Sequence, residues 1–328
     1  MSFSEIVGHT KQLQILRLAL AQSRLHHAYL FVGREGVGKR TVALSLAKAI
    51  HCSAMQNDFC GQCVNCIRIE DRNHTDVRLI EPLTGKKEIS IQQIRELEKE
   101  LYFRSYSGRK KIVIVDPANL LNLAGQNALL KTLEEPPEDS LLILIAIHAG
   151  GLLPTIRSRC LRLSFGPLPA HLLCGLLVSG KGMKKADAEF LSALAMGSLG
   201  AAIKIDGAAL REKRKNWVDR LGSLHHGDYR GALEFAEAIA EDKDTSLSFL
   251  QWAETWFRDL AVYRITQDSR EIVNQDMVPQ VTERSQIGDI EGMLSALRQT
   301  ARAGARIHRN LNRRMVLERL LLNVVGER

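Results

Sequence analysis

The sequence has no apolar stretch long enough to cross a bilayer. The longest, residues 141–147, falls far short of the roughly 20 residues that a spanning helix needs. Residues 1–9 are polar and lack the apolar centre of a secretory signal, so a cytoplasmic protein with no membrane partner is expected. Internal repeats and low-complexity tracts are missing too, which argues against repeat arrays and disordered linkers. No set of carboxylates suggests a polymerase or nuclease centre. His26 and His27 have no Ser or Cys nucleophile identifiable near them, so both read as structural. Charge is only mildly one-sided: 45 Lys and Arg against 37 Asp and Glu give +8, compatible with nucleic-acid contact but not demanding it. What is present is an ordinary globular composition, 45% apolar and 25% charged, in 328 residues. That length allows two or three domains with cores of their own.

The chain is organised around Gly33-Arg34-Glu35-Gly36-Val37-Gly38-Lys39-Arg40-Thr41. An apolar run, Ala28-Tyr29-Leu30-Phe31-Val32, leads in, and a helical pattern over residues 42–50 leads away. Strand, glycine-rich turn and helix form the context of a phosphate-binding loop. The glycines let backbone N–H groups point inward, the helix start adds partial positive charge, and Lys39 reaches toward phosphate. The motif should end Gly-Lys-Ser/Thr but ends Gly38-Lys39-Arg40. The hydroxyl that would hold Mg²⁺ is gone. Thr41 is no simple replacement, because one helical step turns a side chain by about 100°. Gly33, Gly36, Gly38 and Lys39 keep the cradle, and two readings stand: ATP or ADP held without hydrolysis, or no nucleotide at all. Arg40 would put a fixed cation near the Mg²⁺ position, so nucleotide bound there should depend little on magnesium.

Periodicity predicts a helix over residues 10–23, a strand at 77–80, and a helix through Leu101 opened by a Ser90/Gln93 capping box. A strand with a continuous apolar centre follows at 111–115, with Asp116 at its carboxyl end; such runs belong to parallel sheets covered on both faces. A helix is predicted from about Asn119 to Glu135, stopped by Pro136-Pro137, then strands at 141–147 and 160–165. Strands alternating with helices predict a doubly wound α/β domain with ligands at the strands' carboxyl ends. Gly166-Pro167-Leu168-Pro169 marks a boundary. Beyond it no strand is evident, and Trp217, Leu221, Phe249, Trp252, Trp256, Phe257 and Leu260 are the expected helical core.

Cys52, Cys60, Cys63 and Cys66 are separated by seven, two and two residues. Four thiolates at this spacing suit tetrahedral Zn²⁺, and a closed four-Cys set leaves no catalytic position. An iron–sulfur cluster lacks its usual spacing, and disulfides are disfavoured in the cytosol. Structural zinc is therefore expected, folding an insertion too poor in apolar residues to fold alone. Cys160 and Cys174 lack ligand spacing.

Several segments together resemble bacterial DNA polymerase III clamp-loader subunits, which are AAA+ modules. They are His27-Ala28-Tyr29-Leu30-Phe31, the four cysteines, Asn127-Ala128-Leu129-Leu130-Lys131-Thr132-Leu133-Glu134-Glu135-Pro136-Pro137, and Ile156-Arg157-Ser158-Arg159-Cys160. Ile6-Val7-Gly8-His9 is similar to the segment that closes over adenine in such modules. The resemblance implies an AAA+ P-loop-like parallel sheet domain over 1–166 with a zinc module at 52–66. A small helical lid over 167–206 and an all-α collar over 207–328 would follow.

In that family some subunits are ATP-hydrolysing motors and others are not. Arg40 stands where a motor has its Mg²⁺ ligand, and Pro117 follows Asp116 where a motor has the carboxylate that orients water. His148 falls near a small polar sensor position. Gly197-Ser198-Leu199-Gly200 resembles the lid motif, with Gly200 in place of an arginine. Phosphoryl transfer needs these parts together, so the resemblance implies a subunit without catalysis of its own, a component of the nucleotidyltransferase holoenzyme. It also implies that Arg159 faces a neighbouring motor and acts on that subunit's ATP as an arginine finger. Implied partners are the motor and delta subunits of a hetero-oligomeric ring, the sliding clamp indirectly, and primer-template DNA through the complex. The alternative is an ATP-hydrolysing AAA+ motor or a stand-alone AAA+ ATPase. Arg298, Arg302, Arg306, Arg309, Arg313 and Arg314 recur near helical spacing and read as a solvated or inter-subunit face. Lys86-Lys87 and Arg109-Lys110-Lys111 are given no role beyond solubility.

Overall fold

Five short apolar runs of the first half pair as an entirely parallel sheet. In chain order they are β1 (Ala28–Val32), β2 (Val77–Ile80), β3 (Lys111–Val115), β4 (Ser140–Ala146) and β5 (Leu161–Ser164), arranged β2-β3-β4-β1-β5. Tyr29 pairs with Ile143 on one side and Leu161 on the other. Side chains alternate faces along a strand. Tyr29, Phe31, Ile112, Ile114, Ile143 and Ile145 enter one buried cluster, and Ala28, Leu30, Val32, Val113, Val115, Leu142 and Leu144 the other. Both faces of β1, β3 and β4 are covered, as their apolar runs require, while β2 and β5 at the sheet edges are partly exposed. This is a computed structural model, and it describes residues 2–308 and 311–326.

Helices α1 (Thr10–Ala21), α2 (Lys39–His51), α3 (Val64–Glu70), α4 (Ile91–Leu101), α5 (Leu123–Glu134) and α6 (Pro154–Arg159) complete the sheet domain. The Ser90/Gln93 capping box opens α4 as expected. The helix expected from Asn119 instead begins at Leu123. Ala118–Leu120 form a 3₁₀ turn, and the Asn122 side chain accepts from Gly125 N, fixing the start of α5.

The chain divides into two compact units, residues 1–176 with 196–203, and residues 177–195 with 204–328. Helices α7 (Ala170–Lys181) and α9 (Leu199–Lys204) are divided between the two, and α8 (Lys185–Leu194) lies in the second. The second unit, among the described residues, is helical. It comprises α10 (Gly207–Ser223), α11 (Tyr229–Ile239), α12 (Lys243–Thr266), α13 (Val278–Ser285), α14 (Ile290–His308) and α15 (Arg313–Gly326), with short 3₁₀ turns between α12 and α13. Its core holds the aromatic residues expected from sequence. Trp217 lies 5.4 Å from Phe249 and 5.3 Å from Trp252, ring centre to ring centre. Arg214 is buried in it, a charge that costs heavily unless paired. Asp276 takes it through both Nη atoms (2.8 and 3.1 Å), Asn274 Oδ1 accepts at 2.6 Å, and Phe190 covers its face.

Candidate functional site

The glycine loop leaves β1 at Val32 and enters α2 at Lys39, at the carboxyl edge of the sheet where ligands of open α/β folds bind. Gly36 (φ +74°) and Gly38 (φ +105°) adopt backbone that only glycine takes freely. Lys39 is buried, and its Nζ donates to the carbonyls of Gly33 and Arg34, both at 2.6 Å. Burial lowers its pKa, opposed by Asp116 and Glu35.

Arg40 turns toward the ends of the neighbouring strands. Its Nε donates to Asp116 Oδ2 at 2.5 Å, and its Nη2 meets Glu81 Oε1 at 2.6 Å. Burial costs the guanidinium, but the two carboxylates outweigh that cost and hold its pKa above the ordinary value. Glu81 was not foreseen. It follows β2 as Asp116 follows β3, and these strands are adjacent, with Asp116 N donating to Ile80 O. Strand order, which sequence does not reveal, makes them a pair. Thr41 is exposed.

The segment before α1 lies over the loop. His9 Nε2 hydrogen-bonds the Val37 carbonyl at 2.7 Å and its ring packs on Phe165 at 4.9 Å. From the other side, Ser198 Oγ donates to Glu35 O at 2.8 Å and Gly200 N donates to Gly36 O at 3.1 Å. The backbones of Gly36 and Gly200 meet so closely that a Cβ on Gly36 would stand 2.4 Å from Ser198 Oγ and 2.9 Å from Gly200 Cα. Gly36→Ala is therefore expected to destabilise this unit by about 1–3 kcal/mol. Gly85 makes a control, because its φ is +80° but a Cβ there meets nothing within 4 Å. Thermal melts of the two variants should separate steric collision from backbone strain, with Gly36→Ala the lower.

His148 is exposed, and its carbonyl accepts from Asn119 Nδ2 at 3.0 Å. His26 Nδ1 bonds the Ala28 carbonyl at 2.8 Å and its ring stacks on His27, consistent with packing roles. Arg159 ends α6, far from these loop contacts in its own bonding: its partners are Glu134, Thr155 and Ser158.

The four cysteines come together from the end of α2, the loop after it and the start of α3. Cys52 caps the end of α2, Cys63 caps the start of α3, and Cys66 lies within it. Their sulfurs all lie within 4.8 Å of one another, with Cys52–Cys60 at 3.7 Å and Cys52–Cys63 at 4.0 Å. Tetrahedral zinc with Zn–S bonds near 2.3 Å sets sulfurs about 3.8 Å apart, so the donor set fits that ion. Backbone N–H groups of Gln62 and Cys63 point at Cys60 Sγ and pull its pKa below the usual thiol range.

Beside them His51, His74 and Asp76 also gather within 4.8 Å, all buried. Their hydrogen-bonding atoms are largely engaged. Asp76 accepts from Tyr106 N, Ser107 N and Ser105 Oγ, and His51 Nε2 bonds the Lys110 carbonyl. Burial, then His74, push the pKa of His51 down to about 4. The trio fastens the 105–110 loop to the end of α2. Arg109, given only a solubility role from sequence, donates to the Ile50 and Cys52 carbonyls at 2.5 and 2.9 Å and belongs to the same fastening. Lys110 and Lys111 are also engaged, with Asp139 at 3.6 Å and the Glu100 carbonyl at 2.6 Å; Lys86 and Lys87 are exposed.

In the basic stripe, Arg298 and Arg302 are exposed and Arg306 and Arg313 half-buried. Arg314 pairs with Glu318 and Glu237, and Arg309 lies outside the described residues.

Residues 8–169 match the protein family described as DNA polymerase III, delta subunit, and residues 209–325 the family described as DNA polymerase III, delta subunit, C terminal. The delta' subunit of Pseudomonas aeruginosa is 32% identical over 306 residues, 90% of each chain. That of Bacillus subtilis is 28% identical over 316 residues, 94% of each. The tau subunit of Escherichia coli is 37% identical over 162 residues, but these are 49% of this chain and 25% of tau. A parallel sheet carrying a glycine loop and a second unit that is helical among the described residues, each matched by a DNA polymerase III subunit family, define a clamp-loader subunit. Within that class the delta' relatives align along nearly the whole chain. The chain belongs to the DNA polymerase III delta' subunit family.

Proposed function

We propose that this clamp-loader subunit is a stator. It supports ATP-dependent loading of the sliding clamp onto primed DNA without cleaving ATP itself, and it lends Arg159 to the neighbouring motor subunit. The observation that carries the first half is the place of Arg40. Its guanidinium lies on Asp116 and Glu81 at the carboxyl edge of the sheet, where a P-loop motor needs a hydroxyl, a metal and a free carboxylate. A cation held there by two anions disfavours Mg²⁺ by charge repulsion. Lys39, the residue of the cradle that would reach toward phosphate, is already engaged by two loop carbonyls. The motor alternative requires a metal-binding hydroxyl, and exposed Thr41 gives it no support.

The support for the second half is the position of Arg159 at the end of α6, with 36% of its side chain exposed. A permanently charged, planar guanidinium suits the equatorial oxygens of a phosphoryl group in transfer. On this reading the partners are the motor and delta subunits of a ring, with clamp and DNA reached through the assembly, in the cytoplasm. The Cys52, Cys60, Cys63 and Cys66 module would hold zinc as a structural element. Enzyme activity belongs to the polymerase holoenzyme.

The test is ATP hydrolysis by the purified chain with a nucleotide titration beside it. Turnover at background is expected, and any ATP or ADP affinity should change less than about twofold between magnesium and EDTA. Turnover near one per second, about the low end of the range for kinases, would overturn the stator. Strongly Mg²⁺-dependent affinity would overturn the role given to Arg40.

A further inference from the structure

Two family-like segments that sequence left unconnected meet in the fold. Residues 127–137 end α5, and residues 156–160 end α6. The helices share one buried cluster, to which Leu129 and Leu133 of α5 and Ile156 of α6 belong. Pro136-Pro137 stops α5 so that Glu134 is its last residue, and buried Cys160 turns the chain into β5 so that Arg159 is the last residue of α6. The two side chains pair, Arg159 Nη2 to Glu134 Oε1 at 2.7 Å. Arg159 Nη1 donates to Thr155 O at 3.0 Å and is 3.5 Å from Ser158 Oγ. Nε has no partner among the described residues.

As a stabilising contact this pair counts for little. Glu134 is 51% exposed and Arg159 36%, and exposed ion pairs contribute slightly to folding. Glu134 also sits at the negative end of its own helix, where a carboxylate is electrostatically disfavoured. What the arrangement does is geometric. A long side chain with four rotatable bonds is held at one edge of its guanidinium by a carboxylate and a helix carbonyl, while its Nε edge makes no bond among the described residues and the side chain stays 36% exposed. We propose that Glu134 is a positioning residue for Arg159. It fixes the plane and reach of the guanidinium so that the free N–H groups meet the phosphate oxygens of a nucleotide on the adjacent subunit. This inference rests on the reading of Arg159 as a group lent in trans.

The experiment uses the loader assembled from this chain with its motor and delta subunits, carrying Glu134→Gln, Glu134→Ala, Arg159→Ala or the last two together. A group that acts in the transition state moves kcat rather than KM. Glu134→Gln, which keeps an acceptor oxygen, is expected to lower kcat for ATP by about two- to fivefold, and Glu134→Ala by about tenfold. KM, assembly and the Tm of the chain should stay as in the parent. Residues that work through each other are not additive, so the double variant should turn over no more slowly than Arg159→Ala. An undiminished or raised kcat in Glu134→Ala, or a double variant slower still, overturns the positioning role. If Arg159→Ala itself leaves turnover unchanged, the reading in trans fails and this inference with it. If Arg159→Ala is slow while Glu134→Ala matches the parent, only the inference fails.

Discussion

Replacing Arg159 with alanine is expected to leave the loader assembled while ATP cleavage at the site it faces falls by about a thousandfold or more. Arginines supplied to a phosphoryl group from a neighbouring protein contribute about 10³–10⁵ in rate. The size comes from charge. Negative charge builds on the transferring oxygens, and a desolvated guanidinium in place beforehand stabilises it without reorganisation. Removing the side chain should cost the folded chain little, since Arg159 is part-exposed and its ion pair is to an exposed carboxylate. The measurement is single-turnover cleavage by the assembled complex, with size-exclusion chromatography to establish that assembly is intact. Arg159→Lys should recover little, because an ammonium keeps the charge but loses the planar fork. Wild-type turnover at every site of an intact Arg159→Ala complex would end the trans reading.

The second large effect is expected at the cysteines. Purified chain should carry one equivalent of zinc. Stripping it with a chelator, or Cys63→Ser, should lower the Tm of the sheet unit by roughly 10 °C, the shift that about 3–5 kcal/mol produces in a domain of this size. The reason lies in how little else holds the insertion. Phe59, Cys52, Cys66 and Ile69 are buried there, but Met55, Val64 and Ile67 are exposed. Beyond the sulfurs, the insertion is held by the Lys48–Glu70 ion pair, by Asn65 Nδ2 donating to the His51 carbonyl and Arg109 Nη1 to the Cys52 carbonyl, both at 2.9 Å, and by Phe3, whose N donates to Asp58 Oδ1 at 2.9 Å and whose ring packs on Phe59. Such contacts do not fix two helix ends against the entropy of a 15-residue excursion, on the order of 1–2 kcal/mol per ordered residue. Elemental analysis well below one equivalent, or a Tm indifferent to chelation, would contradict the expectation.

Much of the fold was legible because its signals are local. Apolar runs bounded by glycine or proline marked each strand, and the Ser90/Gln93 box marked a helix start through hydrogen bonds three residues apart. The start of α5 was misplaced because an Asn cap three residues along, Asn122, competes with the same apolar pattern. Arg40 was recognised as the wrong residue at its position, since a motif is read along the chain. That it answers Asp116 and Glu81 together was not, because those acids are 35 residues apart and meet only when β2 lies beside β3. Arg109 looked like surface charge because its partners are backbone carbonyls, which carry no sequence signature.

By itself, then, the order of residues determined the strands, the glycine loop and its missing hydroxyl, the four-thiol set and the family. Each depends on residue type at short, fixed spacing. The tertiary structure decided which charges are paired: Arg40 with two strand-end acids, Arg159 with Glu134, Arg214 with Asp276 inside a core. Electrostatic attraction acts through space over a few ångströms, whatever the separation along the chain, so those partners exist only once the chain has folded.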